Sequence, residues 1–323
     1  MARDRANVTE PIEVAFPDIE RYRDGGTGID FVTSLKAAEP GPHVLITGLV
    51  HGNEPCGAIA LDWLLRHDVK PVRGTLSLAF VNTEAYRRFD RAAPIASRFI
   101  DEDFNRLWSP DILESERASH ELSRARELRP LVDTVDLLLD LHSMPYRVPG
   151  MMLAGPSTKG LALAREVCTP PFIVADRGHA AGPRLRDYGA FSADGSPRNA
   201  LLAECGQHWE ADVGAAATEV AIRFLKAVDA VAPDFGEDYL EARPLPPPQR
   251  LIAVSEAVTV KTERFRFAAD YHGMELIPKA GTVIAHDAGR AVRTPHDDCV
   301  LVMPSKRLLV GATAVRFGRY VTA

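Results

Sequence analysis

The sequence predicts an α/β protein: a mixed, largely parallel sheet flanked by helices, followed by a small all-β domain. Two observations predict it. From residue 43 to about 235, short apolar runs alternate with stretches of helical period, the pattern of strand–helix units. Near residue 240 the composition shifts. Ala242 to Arg250, ARPLPPPQR, is too proline-dense to continue a helix, and only short strand-like runs separated by turns come after it. The domains are therefore expected at 1–240 and 241–323.

The first forty residues are mostly polar, with a turn at Asp24-Gly25-Gly26, and should add a short antiparallel strand or two before the core begins. His43 to Gly48 reads as a buried strand. Pro55 to Leu65 has helical period, with proline in the first turn. Thr75 to Asn82 is a second strand. Ser97 to Trp108, SRFIDEDFNRLW, mixes aromatics, acids and arginines without a period and reads as a structured loop. Asp111 to Leu128 is expected to be one charged surface helix, closed by Pro130. Asp136 to Leu141 is a strand, Thr158 to Val167 a helix, and Ala200 to Ala203 another strand. Gly178 to Asn199, rich in Gly, Arg and Asp, is the expected substrate loop or lid. Ala211 to Val231 is a long alanine-rich helix. Ile252–Val260, Gly281–Ala285, Cys299–Met303 and Leu308–Val315 supply the terminal β module.

Composition narrows the function. The 323 residues are 46% hydrophobic and 25% charged, ordinary for a soluble globular chain. A net charge of −6 with no basic block argues against nucleic acid as partner. No run approaches eighteen apolar residues, so no membrane span is expected. The stretch MARDRANVTEPIEVAF has no apolar core of a signal type. Four scattered cysteines (Cys56, Cys168, Cys205, Cys299) form no CxxC, which points to a reduced, cytoplasmic protein. A homo-oligomer is left open.

Three predicted strands end in a polar group: His51 with Glu54, His142, and Glu204. Parallel strands place such ends on one edge of a sheet, where open α/β folds bind their ligands. Two histidines and a carboxylate make a three-ligand zinc set with one position left for water. Bound zinc brings a water toward ionisation near neutral pH. Glu204 is then a natural general base, taking the water proton and passing it to the leaving nitrogen. Asp140, two residues before His142, either orients a histidine or pairs with the backbone.

HGNE at 51–54, DEDFNR at 101–106, DLHS at 140–143 and ECG at 204–206 together resemble the succinylglutamate desuccinylase/aspartoacylase family, relatives of the zinc carboxypeptidases. The resemblance covers most of the first 235 residues, and a C-terminal β module is expected with it. It implies a zinc carboxypeptidase-like fold and one Zn2+ per chain held by His51, Glu54 and His142. It also implies that Glu204 activates water and that Arg98 polarises the scissile carbonyl and stabilises the oxyanion. Asn105 and Arg106 would hold the substrate carboxylate. Pairing of Arg98 and Arg106 with Asp101, Glu102 or Asp103 in a structural network is the alternative for those two arginines. The chain departs from aspartoacylase after the glutamate, where Cys205-Gly206-Gln207 follows Glu204 in place of a Gly-Pro pair. None of Arg184, Arg186, Tyr188 or Arg198 aligns with the further recognition residues of that enzyme.

The expected activity is that of a zinc-dependent amidohydrolase. Its partner would be a small molecule, an N-acyl amino acid or a similar carboxylate-bearing amide. A carboxypeptidase acting on peptide C-termini and a non-catalytic small-acid binding protein are the competing readings.

Overall fold

The apolar run after His43 forms the central strand on which the rest of the chain is laid. The computed structural model describes residues 10–321; the expectation about the N-terminal stretch falls partly on residues 1–9, outside them. In chain order the strands are β1 (Val32–Lys36), β2 (His43–Gly48), β3 (Thr75–Phe80), β4 (Leu137–Met144), β5 (Met151–Leu153), β6 (Phe172–Ala175), β7 (Asn199–Gln207), β8 (Arg250–Thr259), β9 (Arg266–Phe267), β10 (Leu276–Ile277), β11 (Val283–Asp287), β12 (Arg290–Arg293), β13 (Cys299–Val302) and β14 (Thr313–Val321). The helices are α1 (Pro55–Arg66), α2 (Thr83–Arg87), α3 (Pro110–Leu113), α4 (His120–Val132), α5 (Thr158–Val167), α6 (Val213–Ala227) and α7 (Glu237–Glu241).

Among the described residues, eleven strands form one sheet in the order β1-β3-β2-β4-β7-β5-β6-β8-β14-β13-β10. β3, β2, β4 and β7 are parallel neighbours. β5 runs antiparallel to β7, while β5, β6 and β8 are parallel to one another. The expected short strand before the core is β1, antiparallel to β3. Beyond the proline-dense stretch, β8 adds to β6, and β14, β13 and β10 continue the sheet by antiparallel pairing. β9, β11 and β12 make a separate antiparallel sheet, whose Ile284 and Ala285 share one apolar cluster with Phe265 and with Leu301 and Phe317 of β13 and β14.

Helices cover both faces of the central strands, so their side chains are apolar in continuous runs rather than in alternation. α1, α5 and α6 bury Leu61, Leu64, Ala164, Val220 and Phe224 on one face. On the other face α4 and the loop residues Phe104, Trp108, Leu185 and Phe191 form a second cluster. Where α1 meets β2, Gly48 and Gly57 let backbone touch backbone. A Cβ on Gly48 would lie 2.7 Å from the Gly57 carbonyl carbon. This contact draws the start of α1, and Glu54 just before it, down onto the strand ends.

One expected element differs in the structure. The segment 111–128 is not one helix: α3 ends at Leu113 and α4 begins at His120. The Arg126 side chain explains the break, since it donates to the carbonyls of Leu113 at 2.8 Å, Arg117 at 3.0 Å and Ser115. Ser119 then caps α4 by accepting from Leu122 N. Nor does Pro130 close that helix. It runs on to Val132, whose side chain is buried, and Asp133 N donates to Arg129 O. The expected substrate loop or lid, 178–199, carries local structure of its own. Short turns at Leu185–Asp187 and Gly189–Phe191 are pinned by buried Leu185, Tyr188, Phe191, Arg184 and Arg186.

Candidate active site

The strand ends converge as the pattern of polar residues predicts. His51 and Glu54 lie between β2 and α1, His142 lies near the end of β4, and all three are buried. Their ligand atoms sit within 4.8 Å of one another. Nδ1 of His51 is 2.8 Å from Glu54 Oε1, and Nδ1 of His142 is 2.9 Å from Glu54 Oε2. The far nitrogens face carboxylates: His51 Nε2 lies 3.0 Å from Asp103 Oδ1, and His142 Nε2 lies 2.9 Å from Asp140 Oδ2.

This pattern tests whether a cation fits. Protons on both Nε2 atoms satisfy the two aspartates, which leaves both Nδ1 lone pairs facing Glu54 oxygens. Acceptor then opposes acceptor twice in a buried site. A cation among the three ligands relieves this; so does the opposite tautomer, in which both Nδ1–H groups donate to Glu54 while His51 Nε2 accepts from Arg98 Nη2 at 2.9 Å and His142 Nε2 from Asn105 Nδ2 at 3.3 Å. Two imidazoles and one carboxylate, each ring backed by a carboxylate, suit zinc. The charges are tightly balanced. Burial pushes Glu54 upward, but His51 and His142 outweigh it and hold the carboxyl well below its ordinary range. Burial lowers His142, but Asp140 and Glu54 outweigh that and hold it well above its ordinary value.

Asp140 thus takes the histidine-orienting role, and Thr47 Oγ1 donates to its other oxygen at 2.7 Å. Asp103, which sequence reasoning treats only as a salt-bridge partner, does the same for His51. Burial raises Asp103, but Arg98, His51 and Arg106 outweigh it and keep the carboxyl ionised well below its ordinary range.

Arg98 donates to Glu54 Oε1 at 2.9 Å and to Asp103 Oδ2 at 3.2 Å, so its guanidinium lies against the ligand set. Asn105 is buried behind His142. Its Nδ2 lies 3.3 Å from His142 Nε2, and its Oδ1 accepts from Leu185 N at 2.7 Å. Its side chain braces the histidine here. Arg106 donates to Asn105 O at 2.5 Å and reaches Asp103 only at 3.9 Å. Burial, together with the neighbouring cations Arg98, Arg184 and Arg316, brings its pKa down to about 10 against the pull of Asp103.

Glu204 stands on β7 opposite His142 in register. Burial pushes its carboxyl up to about 8, and Oε2 has no hydrogen-bond partner. An unpartnered buried carboxylate oxygen beside three ligands is the expected mark of a group that handles a proton. Arg184 and Arg186 are spent on structure. Arg184 bonds Asp176 and Asp187, and Arg186 bonds Asp187 and the carbonyls of Ala154 and Ala200. Tyr188 bonds Asp133. Arg316, from the C-terminal strand β14, is buried at 3.2 Å from Asp176 Oδ2.

Three further contributors escape sequence reasoning. Glu121, at the start of α4, accepts the backbone N–H of Ile100, Asp101 and Glu102 at 2.7, 3.0 and 3.2 Å, and so shapes the loop that carries Asp103. Ser143 N donates to Glu54 Oε2 at 3.2 Å, and Ser143 Oγ lies 2.9 Å from Nδ1 of buried His208. A buried acid in the first turn of a charged helix is the one available signal for Glu121.

Residues 40–149 match the model of the succinylglutamate desuccinylase/aspartoacylase catalytic domain. A "Probable aspartoacylase" of Parasynechococcus marenigrum (strain WH8102) is 34% identical over 132 residues, 38% of this chain and 41% of that protein. The aspartoacylase of Mus musculus is 31% identical over 121 residues, 35% of this chain and 37% of that protein. The matched stretch thus spans about two fifths of these curated relatives. The fold extends further. A succinylglutamate desuccinylase from Vibrio cholerae superposes with a TM-score of 0.65 at 17% identity, covering 90% of this chain and 86% of that one. The ectoine utilization protein EutE (DoeB) from Ruegeria pomeroyi gives 0.58 at 17% identity, over 97% and 98%. Residues 40–149 are thus similar to the catalytic domain of the succinylglutamate desuccinylase/aspartoacylase family, and the chain as a whole shares the fold of the solved desuccinylases.

Proposed function

We propose that the protein is a zinc-dependent amidohydrolase that cleaves the amide bond of an N-acyl amino acid, or of a similar small amide bearing a carboxylate. The observation that carries this reading is the unpartnered Glu204 oxygen beside the buried His51–Glu54–His142 set. His51, Glu54 and His142 would hold one zinc per chain, which when bound lowers the pKa of a water and polarises a carbonyl. Glu204 Oε2 takes a proton from the attacking water and returns it to the departing nitrogen. Arg98 supplies positive charge where the carbonyl oxygen becomes negative. Arg106, whose guanidinium meets its nearest carboxylate only at 3.9 Å, is the group for the substrate carboxylate. The positive surroundings of Arg106 favour an anionic ligand, which supports a carboxylate-bearing substrate. Free thiols at all four cysteines agree with a reduced, cytoplasmic protein. Among the described residues no helix is long and apolar enough to cross a membrane.

The test is a panel of N-acetyl and N-succinyl amino acids, beside short peptides, assayed with wild type and Glu204→Gln. Hydrolysis of a panel acyl amino acid that falls by about a hundredfold or more in the variant supports the reading. Turnover of peptides alone refutes the substrate class, and undiminished turnover in the variant refutes the role of Glu204.

A further inference from the structure

The turn beyond Glu204 holds both loops that carry the ligand set. β7 carries one extra residue relative to β4: His142 pairs with Glu204, but Met144 pairs with Gln207. Such a bulge bends its strand and re-aims the side chains next to it. Gly206 takes φ +128° there, a conformation that L side chains rarely adopt. The bend carries His208 and Trp209 back over the strand ends. His208 N donates to Met144 O at 2.9 Å, and its ring Nδ1 lies 2.9 Å from Ser143 Oγ. Ser143 in turn gives its backbone N–H to Glu54 Oε2, the oxygen that also faces His142 Nδ1. Trp209 anchors the turn on the other loop, donating from Nε1 to Asn53 O at 3.1 Å. Two ring nitrogens, one hydroxyl and two peptide N–H groups thus connect the end of the Glu204 strand to Glu54 and the neighbours of the ligands.

We propose that His208 is a positioning residue for the metal ligands: through Ser143 it fixes the peptide that orients Glu54 and His142. His208 is buried, at 2% exposure, so the tie is shielded from water. Asparagine can keep a polar group near the place of Nδ1, whereas leucine fills the space without it. Outer-shell partners of metal ligands are worth roughly tenfold to a hundredfold in metal affinity.

The inference rests on the proposed metal site, and the experiment separates the two. Full-length protein is stripped of metal and titrated with Co2+, followed by its visible absorption and by competition with a chelator. Wild type should bind about one equivalent. His208→Leu should bind at least about tenfold more weakly with a changed spectrum, and His208→Asn should recover most of the loss. Ser143→Ala, which leaves the histidine in place, should match His208→Leu, and the double variant should be no worse than either. Thermal unfolding of the metal-free variants monitors the fold. Cobalt affinity of His208→Leu within about twofold of wild type, or no recovery with asparagine, overturns the inference alone. Absence of cobalt binding by wild type overturns the metal site and the inference with it.

Discussion

His51 Nε2 and Asp103 Oδ1 lie 3.0 Å apart across 52 residues of sequence. That contact joins the strand-end loop of His51 to the aperiodic DEDFNR loop, and it leaves Nδ1 of the histidine facing Glu54. Removing the acid while keeping its shape isolates this role. Asp103→Asn should weaken metal binding by roughly tenfold to a hundredfold, and Asp140→Asn, behind His142, should act in the same direction. Chelator competition on the purified variants measures both, and unchanged affinity in either would contradict its role.

Glu121 is predicted to matter through the backbone it satisfies. Glu121→Ala leaves the N–H groups of Ile100, Asp101 and Glu102 without their acceptor and removes the partner of Asn82 Nδ2. A loss of at least about 2 kcal/mol of stability is expected from buried donors left unpaired. Chemical denaturation of variant and wild type, with equal m-values, checks it.

Arg106 should separate binding from turnover. Arg106→Met should raise KM for a carboxylate-bearing substrate by roughly tenfold or more, while leaving the weak turnover of an amide that lacks the carboxylate nearly unchanged. An equal loss for both substrates would show that the guanidinium serves the structure.

His179 gives the fold a pH dependence whose sign is set by its surroundings. Burial first, then Arg106, Arg316 and Arg184, bring its pKa down to about 2, against roughly 6.5 in an unfolded chain. Above about 6.5 neither state binds the proton. As pH falls below that value the unfolded chain takes up a proton that the native ring refuses, so stability is lost on the way down toward about 2. His179→Gln should flatten the stability profile between about pH 6.5 and 4 by up to one proton. Denaturation midpoints across that range, with identical slopes for both proteins, would refute the assignment.

These residues show how much of the site is legible in the chain. His51, Glu54, His142 and Glu204 are legible because each comes after a short apolar run, and parallel strands bring such ends together whatever the intervening loops do. The register of β4 against β7, which sets His142 beside Glu204, has the same origin. Asp103 is not legible as a histidine partner, because an aperiodic loop has no face from which to read direction. Nor are the contacts of Asn105 with Leu185 N and the His142–Asp140 pair legible, since they join that loop to two distant segments. The break before α4 depends on one long side chain, Arg126, folding back on three carbonyls, and helical period does not register that. The C-terminal strands look self-contained in sequence because their pattern is local. Their joining to β6 through β8, and the placing of Arg316 next to Asp176, are long-range pairings.

On the proposed function, His51, Glu54 and His142 hold one zinc ion. The most direct measurement is the metal content of purified protein, and of protein stripped with chelator and reconstituted at neutral pH, by elemental analysis beside a His142→Ala variant. About one zinc per chain in wild type, lost in the variant, is the predicted result. A wild-type chain that takes up no metal after reconstitution, or a variant that keeps its zinc, would contradict it.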